Sequence, residues 1–275
     1  GNEVIPLKYQ QARNFSAGGF AAVRKDFQWG YINKYGEMMI LPRFQEALDF
    51  HEGLAAVKLK GRWGYIDFGG QIVIEVQFQE AGDFSKGLAP VKQHGRWGYI
   101  DTKGHWKVEP SYLEAHALSA EGLGMVKSDK FIGFIDHNGV LQFSSDRISQ
   151  AKDFSEGLAA VEIKGDLGKQ ASHKWGFIDT KGQIIINPIF DFVSDFKGGL
   201  ARVGMDKNDI RRGYLNKQGY LIWDPADWQT TFNLKRSIYQ IIFVALNLYI
   251  IILLRYLFWR KELDKTSTGT KKPHA

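Results

Sequence analysis

The sequence predicts an all-β fold: six tandem three-stranded antiparallel repeats, closed as a propeller-like ring or wound as an open β-superhelix, followed by one C-terminal transmembrane helix. Three observations predict it. A Trp-Gly-aromatic triplet recurs at fixed spacing, apolar strands and Gly turns frame each triplet, and one long apolar run follows the last of them. Self-similarity at a fixed period comes before any local reading, because an array mistaken for a single globular domain gives the wrong fold.

Trp29, Trp63 and Trp97 are each followed by Gly and Tyr and stand 34 residues apart. Gly133-Phe134, Trp175-Gly176-Phe177 and Gly213-Tyr214 hold the same place further on, with Ile132 and Arg212 where the Trp would be, which makes six copies. The first strand of a copy reads Leu54 to Leu59 and recurs as Leu88 to Lys92, Leu158 to Ile163 and Leu200 to Val203. Ala55, Val57 and Leu59 share one face and Lys58 takes the other, the period of a half-buried strand. Short turns (Lys60-Gly61-Arg62, His94-Gly95-Arg96) lead into Trp-Gly-Tyr-Ile, so the pair reads as a hairpin.

The next turn is the most regular. Asn33, Asp67, Asp101, Asp136, Asp179 and Asn216 each stand three residues before a Gly. An Asp or Asn there can bond backbone N–H groups of its own turn, and Gly takes positive φ freely. A third strand follows, as in Gln71 to Val76 or Gln183 to Ile186, and Pro42, Pro110, Pro188 and Pro225 are read as marking its end. Several Gly per copy and β-branched runs argue against helical repeats. One such sheet cannot bury both faces alone, so neighbours must stack.

This pattern, G-L-A-x-V, then W-G-[YF]-I-[DN]-x-x-G, then an apolar strand and D-F, resembles the bacterial WG-repeat (KWG) family over roughly residues 15–225. The resemblance implies tandem β-repeats, frequent on exported or envelope proteins, with no common catalytic activity and no functional residues to carry over.

Composition narrows the function. The 275 residues carry 36 Lys and Arg against 30 Asp and Glu, a formal charge of +6. Eight of those cations lie from Lys235 onward with only Glu262 and Asp264 against them, so residues 1–226 are balanced and a nucleic-acid reading loses its support. No cysteine is present, which removes disulfides, thiolate metal sites and a Cys nucleophile. Residues Glu3 to Phe15 resemble the last third of a copy, and the expectation is that something preceded Gly1.

Copies one to three are the most regular. Copy four departs at Ile132, at Ser144-Ser145-Asp146 and at Glu121 to Gly124, while copies five and six carry insertions between Lys164 and Lys174 and between Lys207 and Arg212. Insertions in arrays map to loops on one face. The same hairpin tips carry Lys25, Lys60, Arg62, His94, Arg96, Lys130, Lys164, Lys174, Arg211 and Arg212. Sharing one repeat position, they predict a basic rim for an anionic glycan, lipid headgroups or an acidic protein, or charges that merely protect exposed edges.

A juxtamembrane segment, 227–236, leads to the run 237–259, which is 23 residues long with Arg255 as its one charge. As a helix it would reach about 34 Å, enough to cross a hydrocarbon core of roughly 30 Å. Trp228, Phe232, Tyr256, Phe258 and Trp259 suit the interfacial belts. Arg255, Arg260, Lys261, Lys265, Lys271 and Lys272 outnumber Lys235 and Arg236, placing the polar tail 260–275 in the cytoplasm and the repeats outside, in a bacterial periplasm. Gln240, Val244, Asn247, Ile251 and Arg255 share one helix face, and polar groups at that depth predict a second membrane subunit or a second copy as partner.

Catalytic chemistry is not expected. Asp49, Asp83, Asp153 and Asp195, with Glu46 and Glu80, recur at one corner of the repeat, whereas an active site needs unlike groups converging once. They are read as corner residues bonding backbone. The seven His share no position and no metal-ligand spacing, no phosphate loop or nucleophile elbow appears, and no cofactor is expected. The Trp residues are read as packing rather than sugar platforms. The reading is a non-catalytic, membrane-anchored extracytoplasmic scaffold or accessory subunit of a membrane complex, with a cell-envelope glycan-binding module as the alternative and a periplasmic hydrolase well behind.

Overall fold

The computed structural model describes Ile5 and residues 8–165, 173–205 and 213–223. The chain divides into two compact units, Gly1–Ile222 and Trp223–Ala275, and all the described residues but Trp223 belong to the first. Among the described residues no helix is long and apolar enough to cross a membrane. The run 237–259, with the face formed by Gln240, Val244, Asn247, Ile251 and Arg255, lies outside them.

Six antiparallel sheets follow one another, and each has four strands where the sequence pattern shows three. In the first, β1 (Gln11–Ala12), β2 (Phe20–Lys25), β3 (Gln28–Asn33) and β4 (Met38–Phe44) lie side by side in that order. The second repeats this with β5 (Glu46–Ala47), β6 (Ala55–Leu59), β7 (Arg62–Ile66) and β8 (Ile72–Phe78). The strand missing from the sequence reading is the first of each set. In five of the six sheets it has two residues, as where Glu46 pairs with Lys58 and Ala47 with Val57, and in the fifth sheet it has four, Ile148–Ala151; either run is too short to show alternation. Residues 80–112, 114–145, 148–190 and 192–223 build the remaining four sheets in the same way.

The Gly of each Trp-Gly pair answers a backbone irregularity. Trp63 faces Phe78 while Tyr65 faces Ile74, so the fourth strand bulges between them. A Cβ on Gly64 would lie 2.6 Å from the Ile74 carbonyl oxygen and 2.8 Å from the Val76 nitrogen. Only a residue without a side chain admits the bulge. Pro42, Pro110 and Pro188 lie inside these bulged edge strands and do not end them, because an edge strand has an N–H to spare. The following turn behaves as read: Asp67 Oδ1 accepts the N–H groups of Gly69 and Gln71, both at 2.9 Å, and Asn33, Asp101, Asp136, Asp179 and Asn216 accept the equivalent pairs.

The first strand of the hairpin is not half-buried. Ala55, Ala56 and Val57 are all buried, because the second sheet is covered on both faces, whereas in the sixth Arg202 and Tyr214 are exposed and the alternation holds. Ala55, Val57 and Ile66 pack back on Ala22, Tyr31 and Phe44 of the preceding unit, while Ala56, Tyr65 and Ile74 pack forward on Ala89, Val91 and Ile100 of the next. The core is thus a series of joints, one between each pair of consecutive sheets. At the start, Ile5 and Tyr9 stand behind Ala21, Val23 and Ile32 in the place a preceding unit would take.

Candidate functional site

Two features of the repeat carry charge, the hairpin tips and the corners. The first three tips are two-residue turns with positive φ at both positions, Asp26-Phe27, Lys60-Gly61 and His94-Gly95, which is the turn whose twist suits a hairpin. A glutamine from the preceding corner holds each one: the N–H groups of Phe27, Gly61 and Gly95 donate to Gln10, Gln45 and Gln79 at 3.0, 2.6 and 2.7 Å. Sequence reading missed these glutamines, although they recur at one position.

The predicted rim is not uniform. Lys60, Arg62, His94 and Lys130 are exposed on their tips with no acidic partner among the described residues. Arg96 donates to Asp129 of the next tip at 2.9 Å. Lys164 donates to the Asp146 carbonyl at 2.7 Å, and Lys174 pairs with a largely buried Asp191 at 2.6 Å. Arg211 and Arg212 lie outside the described residues. The unpaired cations therefore concentrate on the first half of the array, where Lys25 joins them.

At three of the four corners the expected bonding of Asp to backbone is replaced by facing side chains, and Asp49 Oδ1 and Asp83 Oδ1 are buried without a hydrogen-bond partner among the described residues. Asp83 faces His51 at 3.7 Å, Asp153 faces His116 at 2.8 Å, and Asp195 faces Lys152 at 3.5 Å, each cation coming from the preceding unit. Glu46 and Glu80 pair with Lys58 and Lys92, both at 2.7 Å. Burial, with Asp49 adding to it, raises the Asp83 carboxyl above its usual range against the pull of His51 and Arg13. His116, held by Asp153 and on its other nitrogen by Glu114 at 3.1 Å, is raised to about 9 against the opposing effect of burial. The residues that do bond backbone are longer and lie further along. Glu52 accepts Gly87 N–H at 2.8 Å, Glu121 accepts Gly157 at 2.7 Å, and Glu156 accepts Gly198 and Gly199 at 2.7 and 2.9 Å, each reaching the next unit's turn.

The aromatic of each triplet also works across a joint. The hydroxyls of Tyr31, Tyr65 and Tyr99 donate to the carbonyls of Leu48, Gly82 and His116 at 2.7, 2.8 and 2.7 Å. Burial raises all three well above the ordinary phenol range, so they stay protonated donors. Trp29 and Trp63 are buried, and Lys58 and Lys92 lie over the rings of Trp63 and Trp97 at 5.8 Å. In the fifth unit Glu162 takes the place of the strand lysine. Only 5% exposed, it accepts from Ser149 Oγ at 2.8 Å and Gln150 Nε2 at 3.0 Å, with His173 at 3.5 Å. Among the described residues, no group of three or more His, Asp or Glu is arranged to hold a metal ion.

Units that bury their apolar faces only against the units before and after them define a tandem β-repeat array. The chain belongs to the WG containing repeat family, whose model matches residues 1–26, 29–63, 63–97, 97–130, 132–166 and 175–208. No curated protein matches the chain. Among solved structures it is similar in fold to a eukaryotic initiation factor, with a TM-score of 0.52 and 14% identity over 74% of this chain; it spans 62% of that chain. BamB from Moraxella catarrhalis aligns with a TM-score of 0.46 and 14% identity over 76% of this chain and 71% of its own. The extracellular domain of the putative hybrid two component system BT4673 from B. thetaiotaomicron aligns at 0.45 and 10% over 82% and 36%.

Proposed function

We propose that the chain is a membrane-anchored, non-catalytic repeat scaffold, an accessory or interaction subunit of a membrane complex, with the repeats outside the cytoplasm and residues 237–259 crossing the bilayer. The observation that carries the non-catalytic part is where the corner charges go. At three of the five joints corner carboxylates are answered by a basic side chain or a backbone N–H of an adjacent unit, so there they help hold the array together. An active site would instead gather unlike groups around one hollow. The anchored part is supported by the 23-residue apolar run and its aromatic and cationic flanks.

Docking would use the helix face Gln240, Val244, Asn247, Ile251 and Arg255 together with the repeat surface. Purification from native membranes in mild detergent should give a complex of fixed stoichiometry, and Gln240→Leu with Asn247→Leu should weaken recovery of the partner. Sizing as a lone chain, with recovery unaffected by those changes, would sink the scaffold reading. The exposed Lys60, Arg62 and His94 favour a second reading, a glycan-binding module, which salt-sensitive retention on envelope polysaccharide would support.

A further inference from the structure

The first hairpin tip departs from its sisters at one residue. Where the second and third tips place Gly61 and Gly95 at positive φ, the first places Phe27, with φ of 64° and its side chain 74% exposed. A bulky residue in the left-handed region is a real outlier, and Gly would sit there without strain. The conformation is enforced by the Gln10 side chain accepting the Phe27 N–H, and the Arg24 guanidinium lies 5.8 Å from the ring. A strained, water-facing phenylalanine contributes nothing to the fold that glycine would not, and strain retained at an exposed site points to use of the side chain.

The neighbouring tips supply its chemical setting. Arg96 on the third tip reaches Asp129 on the fourth, so adjacent tips are one ion pair apart. Arg62 stands on the second tip where Arg96 stands on the third, each just before the Trp. His94 stands on the third tip where Asp129 stands on the fourth. By repeat position, Arg62 and His94 thus take the places of Arg96 and Asp129, with no carboxylate in the pair. Lys25 and Lys60 flank this row, and Asp26 is the one acid on these three turns.

We propose that the first three hairpin tips form a contact for the anionic surface of a lipid bilayer, with Phe27 entering the interface and Lys25, Lys60, Arg62 and His94 on its headgroup phosphates. An aromatic beside a cluster of unpaired cations is the composition of interfacial binding, whereas a soluble polyanion would leave the ring in water. The proposal rests on the anchored reading, in which the chain is already held at a membrane.

The chain has no cysteine, so Phe27→Cys and, as control, Tyr35→Cys on the turn after the same strand each take one polarity-sensitive label. The labelled full chain is placed in vesicles of phosphatidylcholine, alone or with one third phosphatidylglycerol. The label at 27 should become shielded from a water-soluble quencher only with the anionic lipid, while that at 35 stays open. Lys60→Gln and Arg62→Gln should each lower the ratio of shielded to open forms about fivefold. Phe27→Gly should raise the melting temperature, so that its reduced affinity for the anionic surface cannot be a folding defect.

Equal quenching at the two positions in anionic vesicles would overturn the proposal. So would shielding by a soluble acidic polysaccharide without lipid, in favour of a glycan site. Whether the chain stays with vesicles after an alkaline wash reports on the anchor separately.

Discussion

The first three units and the last three share one backbone but join their neighbours differently. In the first half each joint carries a tyrosine hydroxyl on a carbonyl of the next unit, and Lys58 and Lys92 pair with Glu46 and Glu80 across the short strand. In the second half Phe134 and Phe177 replace tyrosine and pack on Phe154 and Phe196 at 4.9 Å, while Glu162 inverts the sign of the strand charge. The tips diverge in parallel, leaving Lys60, Arg62 and His94 open on the second and third and engaging Lys164 and Lys174 on the fifth. The ring packing is common to both halves, with Tyr31 on Phe50 and Tyr65 on Phe84 at 4.8 Å, so the halves differ in which polar contacts are added to it.

The sharpest way to test that claim is to attack what both halves hold in common. Gly64→Ala would drive a Cβ into the backbone of Ile74 and Val76 and should cost about 2–4 kcal/mol, read from denaturant unfolding. Gly133→Ala in the fourth unit also meets the Phe143 carbonyl at 2.6 Å, but its other neighbours are side chains of Ser144 and Leu141. The Ser144 Cβ is fixed to its backbone but the Leu141 methyl can move, and Gly133 pairs with Ser144 without a bulge beside it, so the second change should cost less. Equal costs would mean the bulge does not decide the identity of this residue.

Next in size are the hydroxyls that distinguish the halves. Tyr65→Phe removes a 2.8 Å bond and strands the Gly82 carbonyl at a buried joint, for a loss of about 1–2 kcal/mol. The second half already lives with Phe177 in that place, with ring packing at 4.9 Å as its joint. If Tyr65→Phe leaves stability unchanged, the hydroxyl bonds are incidental and the halves are equivalent in their cement.

Much of this was legible in the sequence because it recurs: the triplet, the Asx turns and the stacking all follow from period and residue type. What stayed hidden had no such mark. The two-residue first strand is too short for alternation to show, and Ala56 reads as a solvent position until the next unit is seen to cover it. The corner aspartates look like backbone caps, since nothing local reveals that His51, His116 or Lys152 of the preceding unit faces them. Phe27 was visible only as an ordinary aromatic, because its strain is a property of the turn.

His116 makes the joint between the fourth and fifth units respond to pH. Its pKa rises from 6.5 to about 9 in the fold through Asp153 and Glu114, so the stabilisation is complete below the unfolded value and drains away as pH climbs through the folded one. Melting temperature should fall between about pH 6.5 and pH 9, and His116→Gln should flatten that slope while lowering stability at the acid end. An unchanged slope in the variant would assign the pH response elsewhere.

The smallest effect is expected from the most visible polar contacts. Glu46→Ala breaks the 2.7 Å pair with Lys58, but the Glu46 side chain is 54% exposed and solvent screens the interaction, so the loss should be about 0.2–1 kcal/mol and shrink with added salt. Glu162→Ala, in the fifth unit at the place Lys58 holds in the second, should cost more, about 1–3 kcal/mol, because Ser149 and Gln150 would be left without their buried acceptor. Finding the reverse order would show that the first half depends on its surface pairs. The expected order means that charges in this cross-strand pair matter only where they are covered, as Glu162 is with His173 at 3.5 Å.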